Sequence, residues 1–294
     1  MAADATGGVT ADATAELWIG AGSSVAPAAC LICAYDERQE HGGEEHCGTL
    51  VERLVPSLVP TGHRRVALLL GSLLADAGRV LFSGQQPQEP EPSLEGVVHR
   101  LGRRGDIAEA FVFTGSTGAH MTALAFAQDL LSLDRADVAV VCGVDLVGGP
   151  FSQGLRLLGC EDLPSLSGGG HALLLERPGQ EQPHHPTLRS CALVGPEIPP
   201  RPTTPMDLTG VSAGHGGNGF PVTVGLSGVS SLDLSRAEQL ATHVWPGTSI
   251  RRRTGLRSVG ADVLLLVSAV GSEDPPLGIA AVHPLGGTGH CLIT

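Results

Sequence analysis

The stretch that decides the fold is FVFTGSTGAHMTALAFAQDLLSLDRADVAVVCGVDLVGG, residues 111–149. Its pattern predicts a strand, a sharp turn at Gly115–Gly118, a long helix, a short connection and a second buried strand. A turn that opens a helix suits a reactive cysteine, because the helix N-terminus lowers the pKa of a thiol. The turn here carries Ser116 and Thr117 and contains no cysteine.

The length allows either one large domain or two fused halves. The chain has 294 residues, 42% of them hydrophobic and only 3% aromatic, so Ala, Val and Leu must form most of the core. A Pro-rich polar segment, RPGQEQPHHPTLRS (177–190), marks a weak break. We therefore expect a disordered tail over 1–14, an N-terminal half over 15–180 and a C-terminal half over 181–294.

Charge and cysteine usage restrict the partners and the compartment. The net charge of −12, with 18 basic residues that are all arginine, argues against nucleic acid as a partner. The one basic run, Arg251, Arg252 and Arg253, is a candidate docking patch for an acidic carrier protein or a partner subunit. Seven scattered cysteines, no signal-peptide pattern and no membrane-spanning run predict a cytoplasmic protein with reduced thiols.

Apolar runs elsewhere predict further strands and helices. Val66–Leu70 and residues 165–179 each contain a buried strand, and 278–294 reads as strand, glycine-rich turn and strand. Helical spacing occurs over 93–105 and 235–245. Together these elements predict an α/β fold with buried mixed sheets and helices on their faces.

Four segments, in chain order, carry a resemblance to a known family. They are LWIGAGSSVAP (17–27), RADVAVVCGVD (135–145), SLSGGGHALLLER (165–177) and AAVHPLGGTGHCLIT (280–294). The ordered set resembles the β-ketoacyl synthases, enzymes of the thiolase fold. The resemblance implies two similar α/β halves in a layered α/β/α/β/α arrangement, in a chain shorter than a typical synthase.

The chain departs from this family at the positions of its three catalytic groups. The resemblance places the nucleophilic cysteine at Thr117, the first histidine at Ser227 and the second near Ser258. A glycine-rich segment, GHGGNG (214–219), offers His215 as a substitute, at a spacing that fits the family poorly. Hydroxyl groups have no useful pKa near 7, so normal condensation is not expected.

The pattern of losses resembles the chain length factor, the inactive partner subunit of type II polyketide synthases. SRAE (235–238) and RTG (253–255) stand where that subunit carries DRAE and KTG. The resemblance implies a non-catalytic subunit that pairs with an active ketosynthase as a heterodimer, binds acyl carrier protein and shapes the acyl-chain tunnel. This implies a role in polyketide or antibiotic biosynthesis without a cofactor or metal.

Other functions stay open at this point. The backbone of Thr117, Leu285, Gly286 and Gly287 corresponds to an oxyanion-type pocket, which a binding protein could also use. A standalone acyltransferase or thioester hydrolase could use Ser116 or Thr117, with His120 one helical turn later as the base. A scaffold that binds acyl carrier protein alone is the third possibility.

A cysteine pair near the start of the chain raises the question of zinc. Cys30 and Cys33 precede His41, His46 and Cys47, a spacing that resembles a zinc site. The two cysteines lie in an apolar run, which we interpret as a buried helix. No second CxxC occurs, so we expect no metal.

Overall fold

The computed structural model describes ten strands and three helices of the chain. The structure describes residues 29–38, 51–52, 54–57, 59, 64–72, 94–102, 107–114, 116–145, 156–157, 169–177, 187–194, 208, 211, 222–228, 230–247, 249–251, 277–282 and 288–293. None of the described helices is long and apolar enough to span a membrane. The predicted tail over 1–14 and the predicted opening strand over 17–27 lie outside these residues.

The elements of the first half alternate between strands and helices. In order they are β1 (Ala29–Arg38), β2 (Val66–Ser72), α1 (Leu94–Gly102), β3 (Ile107–Thr114), α2 (Ser116–Ser132), β4 (Val138–Asp145) and β5 (Gly169–Glu176). The second half contains β6 (Thr187–Val194), β7 (Thr223–Ser227), α3 (Ser231–Val244), β8 (Ser249–Arg251), β9 (Leu277–Val282) and β10 (Thr288–Ile293).

The strand order is the same in both halves, read from opposite ends. The ten strands are hydrogen-bonded in the order β3-β2-β4-β5-β1-β6-β10-β9-β7-β8. In the first half β2 pairs parallel with β3 and β4, and β5 pairs antiparallel with β4 and β1. In the second half β7 pairs parallel with β8 and β9, and β10 pairs antiparallel with β9 and β6. The halves meet where β1 pairs with β6 at only two residue pairs. This confirms the predicted α/β fold of two similar halves.

Helix α2 lies between the two halves and contacts strands of both. Alternate residues of each buried strand face it, because side chains in a strand point to opposite faces. Thus Ala67 and Leu69 of β2 pack towards α2, whereas Leu68 and Leu70 pack towards α1. The Gln128 side chain of α2 also donates a hydrogen bond of 2.8 Å to the Leu188 carbonyl oxygen of β6. A third cluster, under α3, completes the layers α/β/α/β/α.

Two helix predictions differ from the structure. The run around Cys30 and Cys33 is strand β1, not a helix, so that interpretation was wrong. Short apolar runs do not distinguish a buried strand from a buried helix by periodicity. Helix α3 begins at Ser231, four residues before the predicted start. Its N-cap is Ser230, whose hydroxyl accepts a hydrogen bond from the Asp233 N–H while Asp233 Oδ2 accepts one from the Ser230 N–H.

Charged residues join the strands at the amino ends of β2 and β4. The guanidinium of Arg65 donates to the carboxylates of Asp134 and Asp137, both within 3.3 Å. Arg177, after β5, donates to the same two carboxylates at 2.6 and 2.9 Å. Asp134 adopts the left-handed backbone conformation, with φ of 58°, in the turn that links α2 to β4. The network lies at the edge of the sheet where the parallel strands begin.

Candidate functional site

The predicted site residues follow the carboxyl ends of parallel strands. In open α/β sheets this edge is where ligands bind, because loops and helix N-termini meet there. Thr117 lies three residues after β3 ends at Thr114, in the first turn of α2. Ser227 is the last residue of β7. The structure describes the backbone of Ser116, Thr117 and Ser227 but not their side chains.

The start of α2 is fixed on one side by the end of β2. His120 is fully buried in the second turn of the helix, beside Gly71. A β-carbon on Gly71 would lie 3.0 Å from His120 Nδ1 and 3.3 Å from the His120 backbone nitrogen. Glycine therefore allows the helix N-terminus to approach the strand closely.

The other side of the same helical turn is fixed by the second half. A β-carbon on Gly289, in β10, would lie 3.0 Å from Met121 Cγ and 3.0 Å from the Ala192 carbonyl oxygen. Gly289 is the second residue of β10, so the connection between β9 and β10 ends next to α2. That connection contains Leu285, Gly286 and Gly287, which lie outside the described residues.

Strand pairing brings the Ser227 position towards this helix. Ser227 pairs with Ala281 of β9, and Ala281 pairs on its other side with Gly289 of β10. Neighbouring strands are about 4.8 Å apart, so the Ser227 backbone lies about 10 Å from Gly289. Of the three positions that the resemblance selects, Thr117 lies at the start of α2, which packs on β10, and Ser227 lies on β7, two strands from β10. The third, Ser258, lies outside the described residues.

The turn after Ser227 is held tightly against α3. A β-carbon on Gly228 would lie 2.8 Å from Asp233 Cβ and 2.9 Å from the Leu234 nitrogen. Asp233 is 1% exposed, and its Oδ2 accepts a hydrogen bond of 2.8 Å from the Ser230 hydroxyl. These contacts give the carboxyl end of β7 a single well-packed position.

The candidate docking patch is only partly described. Arg251 is the last residue of β8 and pairs with Gly225 of β7, while Arg252 and Arg253 lie outside the described residues. The zinc hypothesis receives no support from the described part of the chain, where no three His, Cys, Asp or Glu side chains form a group that could hold a metal ion. His41, His46 and Cys47, like His215, lie outside it.

His290, in β10, is buried and is therefore neutral at neutral pH. Burial lowers the pKa of His290, in β10, to about 4. Its ring meets the Trp245 ring edge to face, with centroids 5.6 Å apart. Trp245 in turn fills the space above Gly278, where a β-carbon would lie 2.9 Å from the indole. Within the described residues, His290 Nδ1 and Trp245 Nε1 are buried and have no hydrogen-bond partner.

Strand β3 forms the outer edge of the described sheet in the first half. Its buried fraction is lower than that of β2, and Val112 is 39% exposed. On the face towards α2, Phe111 and Phe113 are only partly buried and meet Phe126, with the Phe111 and Phe126 centroids 4.8 Å apart. An edge strand of eight residues with aromatic side chains beside it is a surface that another strand can extend.

The start of α2 can bind an oxygen atom of a ligand. The N-terminus of α2 presents backbone N–H groups and the positive end of the helix dipole to an oxygen atom of a ligand. Gly71 and Gly289 allow the strands beside it to pack closely on the helix. Sequence reasoning missed the contacts of Gly71 and Gly289 with the helix, because only their spatial neighbours reveal them.

The chain was compared with known families and structures. No known family matches its sequence, and no curated protein sequence does so either. Solved structures do match over most of the chain. OleA from Xanthomonas campestris with bound cerulenin has 12% identity and a TM-score of 0.56, covering 87% of this chain and 84% of OleA. FabH from Pseudomonas aeruginosa, a 3-oxoacyl-(acyl carrier protein) synthase III, has 15% identity and a TM-score of 0.55, covering 90% of this chain and 98% of FabH.

A third similar structure is the ishigamide ketosynthase/chain length factor. Its identity is 16% and its TM-score 0.52, with 78% of this chain and 72% of that chain covered. Identities this low establish the fold but not the activity. The order of the strands, the buried central helix and these structures agree: the chain has the thiolase-type fold that ketosynthases share.

Proposed function

We propose that the chain is a non-catalytic ketosynthase-like subunit, of the chain length factor type, that pairs with an active ketosynthase. The observation that carries the proposal is the start of α2. Strand β3 and helix α2, which hold the nucleophile in the resembling family, are present, yet the residue in the first turn of α2 is Thr117. Gly71 and Gly289 allow β2 and β10 to pack closely on this helix. Because this position carries threonine rather than cysteine, we expect no nucleophile there.

The partner is expected to bind along β3. That strand pairs with β2 on one side, and no described strand lies on its other side. A matching edge strand of the ketosynthase would continue the sheet and cover Phe111, Phe113 and Phe126. Because α2 follows β3 directly, this pairing would bring the start of α2 to the interface. There the residues around it would bound the tunnel in which the partner's acyl chain grows.

A carrier protein would deliver the acyl chain to such a complex. Carrier proteins of this class are acidic, and the run Arg251, Arg252 and Arg253 supplies positive charge on a chain whose net charge is −12. The similar structures include FabH, whose substrate is carried by an acyl carrier protein according to its name. We therefore place the protein in cytoplasmic polyketide or fatty-acid-type biosynthesis, as one subunit of a heterodimer.

The alternative is a standalone acyltransferase or thioester hydrolase. It is favoured by one observation: His120 lies one helical turn from Thr117, buried beside Gly71. In this alternative the hydroxyl of Ser116 or Thr117 attacks the thioester carbonyl, the proton passes to His120 and the carrier thiol leaves. A scaffold that binds carrier protein alone requires neither the histidine nor a ketosynthase.

The test is native mass spectrometry of the protein co-expressed with ketosynthases of the same organism. A one-to-one complex is expected, and its product should be unchanged by Thr117→Ala but lost when the partner's own nucleophile is replaced. A homodimer that ignores every ketosynthase would overturn the proposal. Incubation with acyl thioesters separates the alternatives, because a covalent adduct on tryptic peptide 105–135, which contains Ser116 and Thr117, would establish the acyltransferase.

A further inference from the structure

Two cysteines face each other across the centre of the second half. Cys191 of β6 and Cys291 of β10 are directly opposed in the antiparallel ladder. Opposed residues in such a ladder have Cα atoms about 4.5 or 5.5 Å apart, depending on the type of pair. Both separations fall within the range of about 4.4–6.8 Å that a disulfide spans. The Cα separation of this pair therefore meets the distance requirement of a disulfide.

The two opposed cysteines differ in exposure. Cys291 is fully buried, whereas Cys191 is partly exposed. A hydrogen bond with Cys191 and burial raise the pKa of Cys291 well above its ordinary value. Cys191 Sγ in turn donates to the Met121 carbonyl oxygen at 3.4 Å and lies 3.7 Å from Met121 Sδ. The buried thiol keeps its proton, so the partly exposed one is positioned to react first.

We propose that Cys191 and Cys291 are a reversible oxidation site, which closes to an intramolecular disulfide when a low-molecular-weight disulfide is the oxidant. The Cys191 thiolate attacks one sulfur of that disulfide and expels the first thiolate. The expelled thiolate takes the proton of Cys291, which then attacks Cys191 Sγ, and the second thiolate leaves and takes up the proton that Cys191 had released to solvent. The protein loses two electrons and two protons, and the oxidant becomes two thiols.

Oxidation would alter the start of α2 as well as the ladder. The Cys191 S–H that now bonds to the Met121 carbonyl oxygen would be lost. Met121 is also the residue that packs on Gly289, next to His120. A new covalent bond between β6 and β10 would therefore restrict the movement of the two strands on which the N-terminus of α2 packs. The site does not depend on the function proposed above.

Trypsin releases the two cysteines in separate peptides, so a disulfide between them can be identified directly. Trypsin cleaves after arginine, except before proline, and releases Cys191 in peptide 190–236 and Cys291 in peptide 258–294. Neither peptide contains another cysteine. The full-length protein is equilibrated with mixtures of oxidised and reduced glutathione, the remaining thiols are alkylated, and the digest is analysed by mass spectrometry. We expect the two peptides to be joined in oxidising mixtures and separate after dithiothreitol.

A thermal measurement provides a second readout. A disulfide that closes a loop of about 100 residues should raise the melting temperature of the oxidised protein by about 5 °C or more. Cys191→Ala should abolish both the joined peptides and the shift. Cys142→Ala is the matched control, because Cys142 is buried in the cluster beneath α1, on the other face of the first sheet. That variant should retain both effects.

Three results would overturn the inference, and all are read in the unsubstituted protein. The peptides could stay separate in every mixture. Cys191 could be found only as a mixed disulfide with glutathione while Cys291 stays alkylatable. The disulfide could instead join one of these cysteines to a different peptide.

Discussion

Gly71 and His120 are in contact so close that no side chain fits between them: a β-carbon on Gly71 would lie 3.0 Å from His120 Nδ1 and 3.2 Å from His120 Cα. This contact positions the N-terminus of α2 on the carboxyl end of β2. It also makes a direct prediction about the stability of the site.

Gly71→Val should push α2 away from β2. Because the neighbours are both ring and backbone atoms, we expect the free energy of unfolding to fall by about 1–3 kcal/mol in urea titrations. The double variant Gly71→Val/His120→Ala should recover part of the loss, since it removes the ring but keeps the backbone contact. Strictly additive losses would show that the two residues do not press on each other.

Val112→Lys should weaken assembly without unfolding the subunit. The added charge lies on the edge strand β3, which the partner is proposed to cover. We expect at least a tenfold rise in the dissociation constant of the ketosynthase complex, about 1.4 kcal/mol. Leu232→Lys is the matched control, because Leu232 is 37% exposed against 39% for Val112 but lies on α3 in the other half. Equal effects from both variants would contradict pairing through β3.

His290 should make the protein sensitive to mild acid. Its pKa is about 4 in the folded protein, against about 6.5 when exposed, so the unfolded chain binds the extra proton between these values. Stability is therefore complete above about pH 6.5 and falls as the pH drops towards 4, by up to about 3 kcal/mol. His290→Gln should flatten this part of a stability profile measured in urea, while the exposed His99→Gln should not. A profile with the same slope in His290→Gln would refute the assignment.

Asp137 should also make the folded protein less stable as the pH falls, but at lower pH than His290. Hydrogen bonds from the Arg65 guanidinium and backbone hold the pKa of Asp137 well below its ordinary value of 3.8. The carboxylate thus stabilises the fold above about pH 4, and this contribution is lost as the pH falls further. Asp137→Asn should reduce the loss of stability between about pH 4 and pH 2. Added salt should shrink the difference between the two proteins, because the pair lies at the surface.

The elements that sequence predicted best are those with a strong local pattern. Val66–Leu70 and the apolar run within residues 135–145 were predicted as buried strands, and they lie in the strands Val66–Ser72 and Val138–Asp145. Helix α2 was also predicted correctly, because its apolar residues continue for four turns between β3 and β4. The fold class followed from their alternation.

The features that sequence could not reveal depend on distant partners. Cys191 and Cys291 are far apart in the chain, and only strand register shows that they are opposed. Gly71 resembles any strand glycine until His120 is placed against it. By contrast, the true start of α3 was available, since Ser230 followed three residues later by Asp233 is a capping signal. The Cys30–Cys33 run was ambiguous by its length alone.

Because each half contains its own five strands, we expect the sheet to tolerate a break in the backbone between β5 and β6. All of β1–β5 precede Arg177 and all of β6–β10 follow it, and within the described residues only Ala29 with Leu188 and Cys30 with Thr187 pair across the boundary. A gene cut between β5 and β6 would encode two polypeptides, each with a complete set of five strands. Reassociation would then depend on α2, whose apolar surface and Gln128 would act as an intermolecular dock for the second polypeptide. The two halves would then behave as two related polypeptides that associate through α2.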